Sequence, residues 1–113
     1  MTQAEIGAGD IVLDLDGHKL TLRPSLQAAI TLSSGRGGIT GMVQRCLDFE
    51  FDAIHTVILA GLGQKGSKDL RELIFKAGLI TLGPHCIRFL HIVANGGRPV
   101  SDEEEDEEDA PLG

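Results

Sequence analysis

Residues 61–66, Gly61-Leu62-Gly63-Gln64-Lys65-Gly66, spell GxGxxG between a β-branched run, HTVILA, and a helical pattern. Glycines at that spacing let backbone N–H groups approach a pyrophosphate at the start of a helix. A dinucleotide site also asks for an acidic residue about twenty positions on, and residues 77–87 contain none. No strand follows convincingly, Leu79-Ile80-Thr81-Leu82 being a short candidate. As a Walker loop the segment fails, because Ser67 precedes Lys68 instead of following a Gly-Lys pair. The expected role of residues 61–66 is a helix–loop–helix corner, and a small nucleotide-binding protein using Gly61 to Gly66 is the weakest functional alternative.

Four histidines and two cysteines are the other residues able to do chemistry. His85 and His91 lie six apart, on different faces of a helix, without the i, i+4 spacing of a helical zinc pair. His18 and His55 have no ligand-spaced neighbour. Cys46 and Cys86 fall inside apolar stripes far apart in the chain, where a thiol is expected to be reduced, buried and inert. Glu50 and Asp52 sit in a turn where capping or solvation accounts for them. No Gly-x-Ser-x-Gly elbow is present. Neither a catalytic site nor a metal or cofactor site is expected.

Charge is distributed unevenly. Asp102, Glu103, Glu104, Glu105, Asp106, Glu107, Glu108 and Asp109 are consecutive, and they hold eight of the seventeen acids. The other nine face ten Lys and Arg, so the net charge of −7 belongs to the tail. A near-neutral body and an acidic tail argue against nucleic acid, and four Phe without Trp or Tyr leave few stacking platforms. Adjacent like charges do not fold alone, so residues 97–113 are expected to be disordered. The run is either a solubilising tail or a docking arm for a basic partner. The first nine residues are small and polar, read as a flexible start without a signal peptide. No apolar run is long enough to span a bilayer. The expected compartment is cytoplasmic.

The elements that must carry these residues begin with DIVLDLDGHKLTLR at 10–23. An Asp16-Gly17 turn closes two strands of type I′ hairpin geometry. The resulting register opposes Ile11 to Leu22, Leu13 to Leu20 and Leu15 to His18 on one face, with Asp14 opposite Lys19 on the other. A lone hairpin is marginal in water, so helices must cover it. The first is expected to start at Pro24, with a stripe of Leu26, Ala29 and Ile30. After the connector 33–38, the second starts near Thr40 and buries Ile39, Met42, Val43, Cys46 and Leu47. Asp52 is expected to cap the third, which buries Ile54, Val57, Ile58 and Leu62 and ends at Gly61 and Gly63. Ser67 is expected to cap the fourth, which buries Leu70, Leu73, Ile74 and Ala77 and stops at Gly78. The fifth is expected to open at Gly83-Pro84, close at Asn95-Gly96 and bury Cys86, Phe89, Leu90 and Val93. Strands first and helices after mark an α+β domain over residues 10–96, with about five short helices on one face of the hairpin.

Leu13 to Gly17, then Leu20-Thr21-Leu22-Arg23-Pro24-Ser25-Leu26, then the Ala60-Gly61-Leu62-Gly63 corner, resemble the small tail proteins of gene transfer agents and related siphophages. The resemblance spans roughly residues 9–96. It implies a non-enzymatic tail assembly chaperone, a family also described as tail tube proteins, that binds the tape measure protein and helps the major tail tube protein polymerise. A structural tail subunit, tube or terminator-like, found in the virion tail, is the alternative, and self-association of the chain stays open. The partner-binding residues expected are Gly61 and Gly63, as small exposed residues marking a groove for amphipathic helices, together with the acidic run from Asp102 to Asp109.

Overall fold

The computed structural model describes residues 7–100. Its order is β1 (Ile11–Leu15), β2 (His18–Leu22), α1 (Leu26–Ser33), α2 (Gly38–Leu47), α3 (Phe51–Gly61), α4 (Leu70–Ala77) and α5 (Leu79–Ala94). The α+β architecture is the expected one.

The hairpin follows its sequence closely. Asp16 and Gly17 take φ values of 56° and 88°, the left-handed pair a type I′ turn needs. The Gly17 N–H donates to Asp14 Oδ1 at 2.8 Å. Pairing runs Ile11 with Leu22, Leu13 with Leu20 and Leu15 with His18. Ile11, Leu13, Leu15 and Leu22 are buried and Leu20 is half-buried. Lys19 and Asp14 pair at 3.6 Å on the wet face.

All five helix starts differ from expectation, the first four each for a local reason. The Ser25 hydroxyl accepts from the Ala28 N–H at 3.0 Å, so Ser25 is the N-cap and α1 starts at Leu26 rather than Pro24. α2 starts at Gly38, because Gly37 and Gly38 take φ values of 84° and 61° and turn the chain directly into the helix. α3 starts at Phe51 behind Glu50. Asp52 therefore lies within the first turn, where it meets Arg71 of α4 at 3.4 Å instead of capping. α4 starts at Leu70 behind Asp69, with no side-chain cap. Ser67 contributes its carbonyl, accepting from the Leu70 N–H at 3.2 Å.

The largest difference is at α5, which opens at Leu79 immediately after Gly78. The backbone at Gly78, with φ of 97°, ends one helix and starts the next, and the two axes differ by 108°. The strand candidate 79–82 is the first turn of α5, and Gly83-Pro84 lie inside the helix. Gly83 lets the Phe49 ring pack closely there: a Cβ would sit 3.1 Å from its Cε1. Phe49 itself closes α2 in the left-handed region, φ 56°, where glycine is usual. The Glu50 N–H reaches back to the Arg45 carbonyl at 3.0 Å, completing that helix end.

α5 is the central element, packed against α1, α2, α3, α4 and β1. It buries Leu82, Cys86, Phe89, Leu90, Ile92 and Val93. The packed body reaches Gly9 and Gly97, just beyond the expected 10–96. Gly9 is buried close to Gly97, Ile92 and Pro24, and the Gly97 N–H donates to the Ile92 carbonyl at 2.9 Å.

Candidate functional site

An apolar face on α1 is the feature the sequence pattern did not anticipate. Leu26 and Ile30, expected in the core, are 77% and 51% exposed, while Ala28 and Leu32 turn inward. Leu26 and Ile30 are one turn apart, with Ala29 between them on the same side. Beside them lies a hollow of about 240 Å³ lined by Pro24, Ser25, Leu26, Ala29, Val93, Gly96 and Gly97, none of them charged. Its α5 side exists because the chain reverses through Gly96 and Gly97, at φ 76° and 83°. A Cβ at Gly97 would come within 3.4 Å of the Pro24 carbonyl oxygen. The signal available in the sequence was Ala28 with Leu32 at i, i+4, a smaller competing stripe that lets the helix approach its neighbours closely.

Of the expected partner residues, Gly63 is exposed with φ of 70° and open space where a Cβ would stand. Gly61 is buried, contrary to expectation. A Cβ there would lie 2.7 Å from Leu22 Cβ, and the Gly61 carbonyl accepts from the Arg23 N–H at 2.9 Å. Its smallness serves the crossing of α3 over β2. Both glycines still line a second hollow of about 340 Å³, with Thr21, Arg23, Ser25, Leu62 and Lys65. Ser25 borders both hollows, so the two lie side by side. The acidic run from Asp102 to Asp109 lies outside the described residues.

The GxGxxG spacing has a local structural explanation at each glycine. Gly61 permits the α3–β2 approach, Gly63 supplies a left-handed turn, and a Cβ at Gly66 would meet Leu59 and Leu70 side-chain carbons at 2.8 and 2.9 Å. A helix, α3, leads into the segment, and α4 begins at Leu70, beyond the last glycine. A dinucleotide fingerprint runs from a strand straight into a helix N-terminus, a different context.

The cysteines are free and fully buried as expected, but they are not isolated from each other. Cys46 of α2 and Cys86 of α5 meet through a hydrogen bond between their thiols. That bond, and then burial, push the Cys86 thiol far up, so it stays protonated. The same bond stabilises a thiolate at Cys46 and lowers it, against the opposing effect of burial. A thiol pair without solvent contact has no route to an electrophile. His85 and His91 are exposed on α5, and His55 is half-buried on α3. Among the described residues no three of His, Cys, Asp and Glu come together as a metal site. No single described helix is long and apolar enough to cross a membrane.

Comparison with protein-family models, curated proteins and solved structures returns no match.

Proposed function

We propose that this chain is a non-enzymatic tail assembly chaperone that holds the tape measure protein while the tail tube protein polymerises around it. It would work in the cytoplasm of the producing cell. The observation that carries the reading is the outward stripe Leu26–Ala29–Ile30 beside an uncharged hollow. An amphipathic partner helix presents apolar side chains at i, i+3 and i+4, and such anchors seat in a groove of this kind. In the adjoining hollow Lys65 would take an acidic side chain from the partner's flank, while Arg23 there is paired with Asp10 at 3.7 Å. Leu26 and Ile30 contribute little to holding the fold together, so their retention on the surface makes sense as contact area for another protein.

Affinity capture from cells expressing the tail genes tests this. Wild-type protein should retain the tape measure protein, and Leu26→Glu with Ile30→Glu should reduce capture about tenfold or more, a loss of about 1.4 kcal/mol. The double variant should keep its folding stability, since exposed substitutions typically stay within about 0.5 kcal/mol each. Stoichiometric protein in finished particles would favour the structural tail subunit instead. Undiminished capture by the double variant would remove α1 as the binding face.

A further inference from the structure

Asn95 is the only asparagine of the chain, and glycine follows it. The side-chain amide carbon of an asparagine and the nitrogen of the next peptide can close an imide ring, and glycine leaves that nitrogen unshielded by a Cβ. Here the pair ends α5 and both residues are exposed to water. The Gly96 N–H donates to the Val93 carbonyl at 3.3 Å, a long and weak bond. At the other pair of this kind, Asp16-Gly17, the side chain carries no amide, and the glycine N–H is engaged by Asp14 Oδ1 at 2.8 Å.

Two further contacts bear on the reaction. Asn95 Nδ2 donates forward to the carbonyls of Arg98 at 3.2 Å and Pro99 at 3.3 Å. The side chain therefore lies over the turn that contains Gly96, not back along α5. A Cβ at Gly96 would come within 3.4 Å of both Nη1 and Nη2 of Arg98, so the guanidinium covers the same turn. A cation held there stabilises negative charge as it develops on the Gly96 nitrogen and on Asn95 Oδ1.

We propose that Asn95 is a site of spontaneous deamidation, promoted by Arg98, whose product frees residues 98–100 from α5. The Gly96 nitrogen bonds to Asn95 Cγ and gives its proton to solvent. The Cγ–Nδ2 bond then breaks, and Nδ2 leaves as ammonia with a proton from water. Water opens the imide at either carbonyl, leaving an aspartyl or an isoaspartyl residue, so the net change is one water taken up and one ammonia released. The new carboxylate has no N–H for the Arg98 and Pro99 carbonyls, and two hydrogen bonds become repulsive contacts. Pro99 and Val100 lose the fastening that holds them over Pro84, Ile87 and Ile92 of α5.

Ageing the full-length protein in warm, mildly alkaline buffer, folded and in concentrated urea, and following the Asn95 peptide by mass spectrometry tests the site. Asn95 should convert in the folded chain at a rate near that in urea, and Arg98→Gln should slow it severalfold in the folded chain only. An amide kept in the folded chain while the urea sample converts overturns the site, and equal folded rates with Arg98→Gln overturn the role of Arg98. Asn95→Gln should hold its mass over the same period, and conversion there would place the reaction elsewhere in the chain. The Asn95→Asp variant carries the product's charge from the start. In nitrogen relaxation the Arg98 and Val100 amides of that variant should gain fast motion while those of α3 do not change. Unchanged motion at 98 and 100 overturns the release.

Discussion

The hairpin and α1 are neighbours in the chain and both are rich in aliphatic residues, yet they use them in opposite ways. β1 and β2 place Ile11, Leu13, Leu15 and Leu22 in the core, whereas α1 turns Leu26 and Ile30 to solvent and buries only Ala28 and Leu32. Both pack on α3. A strand offers two faces, and one of those here carries Asp14 and Lys19, so burial of the other follows. An eight-residue helix offers several overlapping stripes, and the smaller one won because it lets α1 sit close to its neighbours. On the function proposed above, the large apolar side chains that α1 leaves outside serve as contact area for another protein, whereas those on the inner face of the hairpin hold the fold.

Truncation separates the two uses most sharply. Leu22→Ala, at a position with no exposure, should cost about 2–5 kcal/mol in urea denaturation. Leu26→Ala should cost no more than about 0.5 kcal/mol. Equal losses would mean that Leu26 is part of the core and that the α1 face is not a surface at all.

The corner between α3 and α4 extends the comparison to two glycines. Gly61→Ala forces a methyl against Cβ and Cδ2 of Leu22 on β2, at 2.7 and 3.0 Å, and overpacking of that kind costs about 1–3 kcal/mol. Gly63→Ala meets nothing, and its cost is the left-handed backbone alone, about 1–2 kcal/mol. Partner capture should fall with Gly61→Ala only as far as folding falls, because Gly61 is itself buried. Gly63 borders the hollow from outside, and a larger residue there, Gly63→Lys, should weaken capture beyond its effect on the melting temperature.

What was legible in the sequence follows the same division. Period-two alternation and one Asp-Gly turn were enough for the whole hairpin register, because each residue's face is set by its immediate neighbours. Helix stops at Gly78 and in the 61–63 corner were also legible, being local backbone properties. The start of α5 was not. Gly83-Pro84 has the look of a helix opening, but Gly83 serves the Phe49 ring and Pro84 points outward in the second turn. That depends on the end of α2, thirty-odd residues earlier. The burial of Gly61 and the meeting of Cys46 with Cys86 likewise depend on which elements cross. The outward stripe of α1 was visible as residues but not as a direction.

α3, the floor shared by both regions, carries the smallest expected effect. His55 is held below its ordinary value of 6.5, first by burial and then by the Arg71 charge, with Asp52 opposing. Between that lowered value and 6.5 the unfolded chain binds more protons than the folded one, so stability rises with pH there. The contribution is complete above about pH 6.5 and is lost as the solution is acidified through that window. His55 is only half-buried, so solvent screens most of the penalty and the effect should be smaller than any substitution above. Comparing melting temperatures at about pH 7 and about pH 5, His55→Gln should show a shallower decline than wild type. Arg71→Gln should lie between them, because it removes the second cause and leaves the first. A steeper decline for His55→Gln would mean that the charged imidazole is favoured in the folded protein, and that Asp52 outweighs Arg71 where the hairpin and α1 share their support.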